Sequence, residues 1–229
     1  MDWSETMEAM AQARRQPHEL LGRVLCYEYS FATGHWPHES MSDADPPARA
    51  DAGPEVTPID GYLGLYDPVE MRIIVFSKGI GEAAALLKRR EPDLRYVVRI
   101  HEYAHALLHL GLTRQQHHDL LSRPEAVLPG QQALSVFRSI DDGVHDILAQ
   151  LLTFRALRRA FKEATIEQAR SAVQSTLGTF GILAKRQPVE YDIEPYMEVP
   201  EERVRKAFAL LKKGSLPGRS DLWSTVLTW

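Results

Sequence analysis

The residues best equipped for chemistry lie in LRYVVRIHEYAHALLHLG, residues 94–111, where His101-Glu102-Tyr103-Ala104-His105 forms an H-E-x-x-H sequence. Its apolar positions recur at helical spacing, so the motif falls on a helix. Residues four apart share a helix face, which lets the imidazoles of His101 and His105 address one zinc ion. Glu102, the next residue, then stands beside a water at that ion, where a carboxylate can act as general base.

Two histidines leave zinc one protein ligand short of the three usual at a catalytic site. The segment SIDDGVHDILAQLLTF, residues 139–154, offers Asp141, Asp142, His145 and Asp146, and the spacing of Ile147, Leu148, Leu151 and Leu152 makes it a core helix. Helix neighbours point about 100 degrees apart, so His145 and Asp146 are not both expected on the metal. His109 lies one turn too far along, and His35, His38, His117 and His118 read as solvated side chains.

These motifs resemble the zincin metallopeptidases over roughly residues 60–160, with a strand pair, a connecting helix, the H-E-x-x-H helix and a downstream ligand helix. In gluzincin-like members the downstream ligand is a glutamate followed three positions later by alanine, and Asp146 with Ala149 is similar. The resemblance implies Asp146 as third ligand, with His145 the alternative. The metzincin form needs a histidine six residues after His105, where this chain has Gly111. A weaker similarity connects the chain to the ImmA/IrrE-type peptidases, cytosolic zincins associated with repressor cleavage.

The resemblance implies a zinc-dependent endopeptidase acting on a protein or peptide, including cleavage of a regulatory protein. Zinc would polarise the scissile carbonyl and acidify a water whose proton Glu102 accepts. A hydroxyl or imidazole donor is then needed for the developing oxyanion, and QPVEYDIEPY offers Tyr191, the expected residue, and Tyr196. By the same likeness the segment Met71 to Phe76 presents an edge on which an extended peptide lies. The competing reading is a non-catalytic zincin-fold regulatory or interaction protein, its zinc structural and closed by a fourth ligand from the surplus His and Asp at 141–146.

These residues must be positioned by an ordinary globular fold: 229 residues, 44% hydrophobic and 25% charged, enough for a core without disulfides. The formal net charge of −4 gives no positive field to attract nucleic acid. No stretch reaches the roughly 18 apolar residues of a membrane span, and the N-terminus has no apolar leader core. The single cysteine, Cys26, cannot form an intramolecular disulfide, so a reducing cytoplasm is expected; its apolar setting suggests a buried thiol, with a zinc-reaching latency thiolate the sharper alternative.

The predicted class is α+β, mainly helical, in three parts. Residues 1–58 carry a helix over 18–32 and a Pro/Asp-rich mobile loop from His35 to Pro58; 59–162 form the zincin-like core; 163–229 form a helical extension packed on it. Within the core, GYLGLYDPVEMRIIVF, residues 61–76, reads as a hairpin turning at Asp67-Pro68. Helices are predicted over Glu82–Arg90, Leu94–Leu110, Thr113–Ser122 and Gln131–Phe161, with Gly111 ending one, capping boxes from Thr113 and Thr165, and Pro200 opening another. Trp223 and Trp229 are expected to anchor the C-terminal segment in the core.

Overall fold

A computed structural model describes residues 29–31, 37–47, 61–113, 118, 122, 130–164, 167–188, 191–216 and 218–226. Cys26, Trp229, the Thr165 box, most of the 113–122 helix and the larger parts of the 18–32 and 35–58 segments lie outside these residues. The described chain is α+β and mainly helical. Its strands are β1 (Tyr29–Phe31), β2 (His38–Ser42), β3 (Gly64–Asp67), β4 (Arg72–Phe76) and β5 (Gly111–Thr113). Its α-helices are α1 (Ser77–Leu87), α2 (Glu91–Leu110), α3 (Gly130–Arg138), α4 (Asp142–Glu163), α5 (Glu167–Ala184), α6 (Glu201–Lys212) and α7 (Arg219–Val226). No helix among the described residues is long and apolar enough to cross a membrane.

The expected hairpin forms as β3 and β4, with Leu65 opposite Ile74 and Tyr66 opposite Ile73. Its turn is fixed by Asp67, whose Oδ1 accepts the N–H groups of Val69 at 2.9 Å and Glu70 at 3.1 Å. Ile73 and Val75 alternate into the core, as a half-buried strand requires.

Several expectations are corrected. Tyr29–Phe31, read as a helix end, is a strand antiparallel to β5, because Gly111 leaves α2 in an extended conformation and offers it a partner. Part of the 35–58 loop is strand β2, parallel to β4 with Ser40 opposite Ile74. Little apolar material marks it in sequence; Glu39, salt-bridged to Arg99 of α2 at 2.6 Å, and the His38 N–H on the Met71 carbonyl at 3.1 Å hold it in place. Since β2 takes one side of β4 and β3 the other, β4 is the centre of the sheet and presents no edge to a peptide; β3 and β2 are the outer strands. The Gln131–Phe161 helix is interrupted at 139–141, giving α3 and α4.

The first long helix starts at Ser77 rather than Glu82, running through two glycines. Gly79 is there for space: a Cβ on it would stand 2.8 Å from Pro46 Cγ. Pro200 precedes α6 as its N-cap. Leu222 of α7 is buried, whereas Trp223 remains 44% exposed with its ring 5.4 Å from Tyr196, so the leucine is the anchor.

Helix α2 is the axis of the molecule. Leu94, Val97, Ile100, Ala104 and Leu107 are almost fully buried, and Val144, Ile147, Leu148 and Leu151 of α4 pack into the same apolar cluster. Helices α5 and α6 join it through Phe180, Leu183, Val204 and Phe208, so the C-terminal part shares one core with the hairpin and α2. What α2 leaves incompletely covered is the face carrying His101 and His105.

Candidate metal centre

The i, i+4 spacing on α2 brings His101 Nε2 and His105 Nε2 to 3.0 Å. Helix α4 crosses that face and delivers Asp146, whose Oδ1 lies 3.4 Å from His105 Nε2 and 4.0 Å from His101 Nε2. The three donors all fall within 4.8 Å of one another. Two ligands each about 2.0–2.1 Å from a tetrahedral zinc stand about 3.3 Å apart, so this spacing matches what one small cation needs.

The surroundings favour a neutral His101 and an anionic Asp146, and hold the proton more tightly on His105. Burial holds the His101 imidazole far below its usual range, at about 3, assisted by His105 and opposed by Asp146. Burial acts the same way on His105 but is outweighed by Asp146, Glu102 and Asp142, which raise it. Asp146 is lowered: burial would raise it, but His105, His101 and the Tyr191 hydroxyl favour the carboxylate. The Nδ1 of His101 is buried with no hydrogen-bond partner among the described residues.

Glu102 is nearly buried on α2 beneath β3. Burial lifts its carboxyl to about 7, with Asp146 adding to the rise and His105 and the backbone N–H of Tyr66 opposing it. A carboxyl at that value can both take and return a proton near neutrality. The N–H of Tyr66 on β3 is thus aimed at Glu102, which a Gly64 side chain would displace.

His145 is not among the three clustered donors. Its Nε2 hydrogen-bonds the carbonyl of Phe137 at 2.7 Å, and its ring centroid is 6.4 Å from that of His105. Neighbouring positions on α4 therefore separate as helix geometry demands. His109, one turn beyond the pair and expected to be partly exposed or to support the ligands, is buried, with Nδ1 2.9 Å from the Tyr66 hydroxyl. His118 and His38 are exposed.

Tyr191 is buried beside the cluster, its ring centroid 6.2 Å from that of His101, and its hydroxyl donates to Asp146. One O–H cannot serve Asp146 and an oxyanion together, so the donor role requires it to leave the carboxylate when substrate arrives. Tyr196 is buried, its ring against Trp223.

A cleft opens beside the cluster, with His101, Glu102, Gly64, Tyr191, Gln150 and Gln187 among the residues lining it. Sequence reasoning did not single out Gln150 or Gln187. The only signal was that Gln150 lies one turn after Asp146 on the same helix face. No protein-family model matches the chain, and neither a curated protein nor a solved structure matches it.

Proposed function

We propose that this chain is a zinc-dependent peptidase of zincin type that hydrolyses peptide bonds in a protein or peptide substrate. The observation that supports this best is the convergence of His101, His105 and Asp146 next to a buried Glu102 at the end of an open cleft. Two imidazole nitrogens and a carboxylate oxygen suit zinc, as His₂-carboxylate sites do. His145 turns away to Phe137, which favours a site with an open position over one closed by four protein ligands.

Zinc bound to these three side chains would supply a Lewis acid for the scissile carbonyl and lower the pKa of water. The rest is the work of the chain. Glu102 takes a proton from the attacking water as the water oxygen bonds to the carbonyl carbon. That proton passes from Glu102 to the leaving nitrogen as the C–N bond breaks, giving a carboxylic acid and an amine. The Tyr66 N–H keeps the Glu102 carboxylate aimed at the cleft. Tyr191 orients Asp146 and, released from it, is the donor we assign to the oxyanion. A substrate strand would lie along β3, the outer strand that borders the cleft through Gly64.

The test compares zinc-loaded parent with Glu102→Gln on a degenerate peptide library read by mass spectrometry. The expected result is equal zinc content and a loss of cleavage of about 10²–10⁴-fold in the variant. Equal cleavage by both proteins would rule out Glu102 as the base.

A further inference from the structure

The cleft beside Glu102 is lined by the aliphatic Leu63, Val97, Val98 and Leu183, by His101 and Tyr191 of the candidate site, and by a pair of amides. Gln150, only 2% exposed on α4, donates its Nε2 to Gln187 Oε1. No atom of either amide is among the buried polar atoms without a partner, so the capacity that the pair does not use internally is open to the cleft. A single hydrogen bond between two amides leaves one carbonyl and one NH₂ over. That remainder is the same if both amides are turned over, so it does not depend on which atom is assigned as oxygen.

Another amide, which donates and accepts at once, can pair with that carbonyl and that NH₂ together, whereas a carboxylate or an ammonium can pair with only one of them. Among the described lining residues the one carboxylate is Glu102, and there is no Lys or Arg. An acidic side chain would bring a second negative charge towards Glu102, and a lysine would pair with the base. An aliphatic stem ending in an amide matches both the walls and the pair.

We propose that Gln150 and Gln187 select substrates carrying an uncharged amide side chain, glutamine ahead of asparagine, at a residue flanking the scissile bond. This specificity rests on the peptidase reading above. Glutamine is favoured over glutamate because the pair would face an uncompensated charge. It is favoured over methionine, of similar length, because the pair would be left half satisfied.

The experiment is cleavage-site profiling of the zinc-loaded full chain on a degenerate peptide library, followed by kcat/KM on matched peptides differing only at the flanking residue. The expected preference is about 10-fold for Gln over Met and at least about 100-fold for Gln over Glu. In Gln150→Leu and in Gln187→Leu the preference for Gln over Met falls to near parity. Gln187 is only partly buried, so its variant carries the test should Gln150→Leu fail to fold. Calorimetry with the Gln and Met peptides on the Glu102→Gln protein reads the same preference without turnover. Cleavage with no amide preference, or a preference undiminished in the folded variants, would overturn this assignment and leave the peptidase reading standing. Absence of any cleavage by the zinc-loaded protein would overturn both.

Discussion

Gly64 and Glu102 are packed so closely that a Cβ on the glycine would stand 2.8 Å from both Cγ and Oε1 of the glutamate, and 2.6 Å from Val98 Cγ1. The hairpin therefore rests directly on the carboxylate. Two residues along the same strand, the N–H of Tyr66 donates to it. Strand β3 thus presses on Glu102 at one position and hydrogen-bonds it at another, which holds a long side chain to one rotamer.

Gly64→Ala would push Glu102 and Val98 aside without touching the three clustered donors. Misplacing a catalytic group by about 1 Å costs on the order of 10²-fold, so kcat/KM should fall by about that factor while zinc content stays at the parental level. Steady-state kinetics alongside elemental analysis separates these effects. Undiminished activity would mean that the clamp does not matter to the reaction.

Tyr191→Phe removes the hydroxyl that Asp146 accepts from. Partners that orient a ligating side chain contribute about 10–100-fold to metal affinity, so competition with a fluorescent chelator should show zinc affinity weakened by that order. Unchanged affinity with a large fall in kcat at saturating zinc would instead assign the tyrosine solely to the oxyanion.

Lys212 of α6 donates its ammonium to the carbonyl of His109 in the last turn of α2, and burial lowers its pKa to about 8. The folded lysine thus loses its proton more readily than the unfolded one. Between pH 8 and the unfolded value of 10.5 the unfolded chain binds more protons, so the parent gains stability as pH rises through that window. Below pH 8 the full cost of the buried charge is present. Urea unfolding of Lys212→Met across this range should show the parent's stability rising against the variant's by about 3 kcal/mol, most of it regained by pH 10.5. A constant difference between the two would show that the lysine is not desolvated.

What could be read from the sequence divides by range. His101, Glu102 and His105 belong to one helix, where spacing alone decides which residues share a face, so their mutual placement needed no tertiary information. The hairpin was legible because Ile73, Ile74 and Val75 are β-branched and Asp67-Pro68 marks the turn. Asp146 was one of four candidates on its segment and only a family likeness put it first, because its approach to the histidines depends on how α4 crosses α2 some forty residues later. Strand β2, HESMS, has neither alternating apolar residues nor a local partner; its register comes from a parallel strand and from Arg99 across the fold. Without β2, nothing showed that β4 would be enclosed. Gln150 carried only its helix phase, and Gln187, meeting it across the cleft, carried no signal.

A metal ion held by His101, His105 and Asp146 must depend on those side chains and not on His145. Zinc is measured by elemental analysis on purified parent, His101→Ala, Asp146→Ala and His145→Ala, all prepared without added metal. The expected result is a single zinc per chain in the parent and in His145→Ala, and loss of that zinc in His101→Ala and Asp146→Ala. Zinc kept by Asp146→Ala and lost from His145→Ala, or a parent that takes up none even on reconstitution, would contradict it.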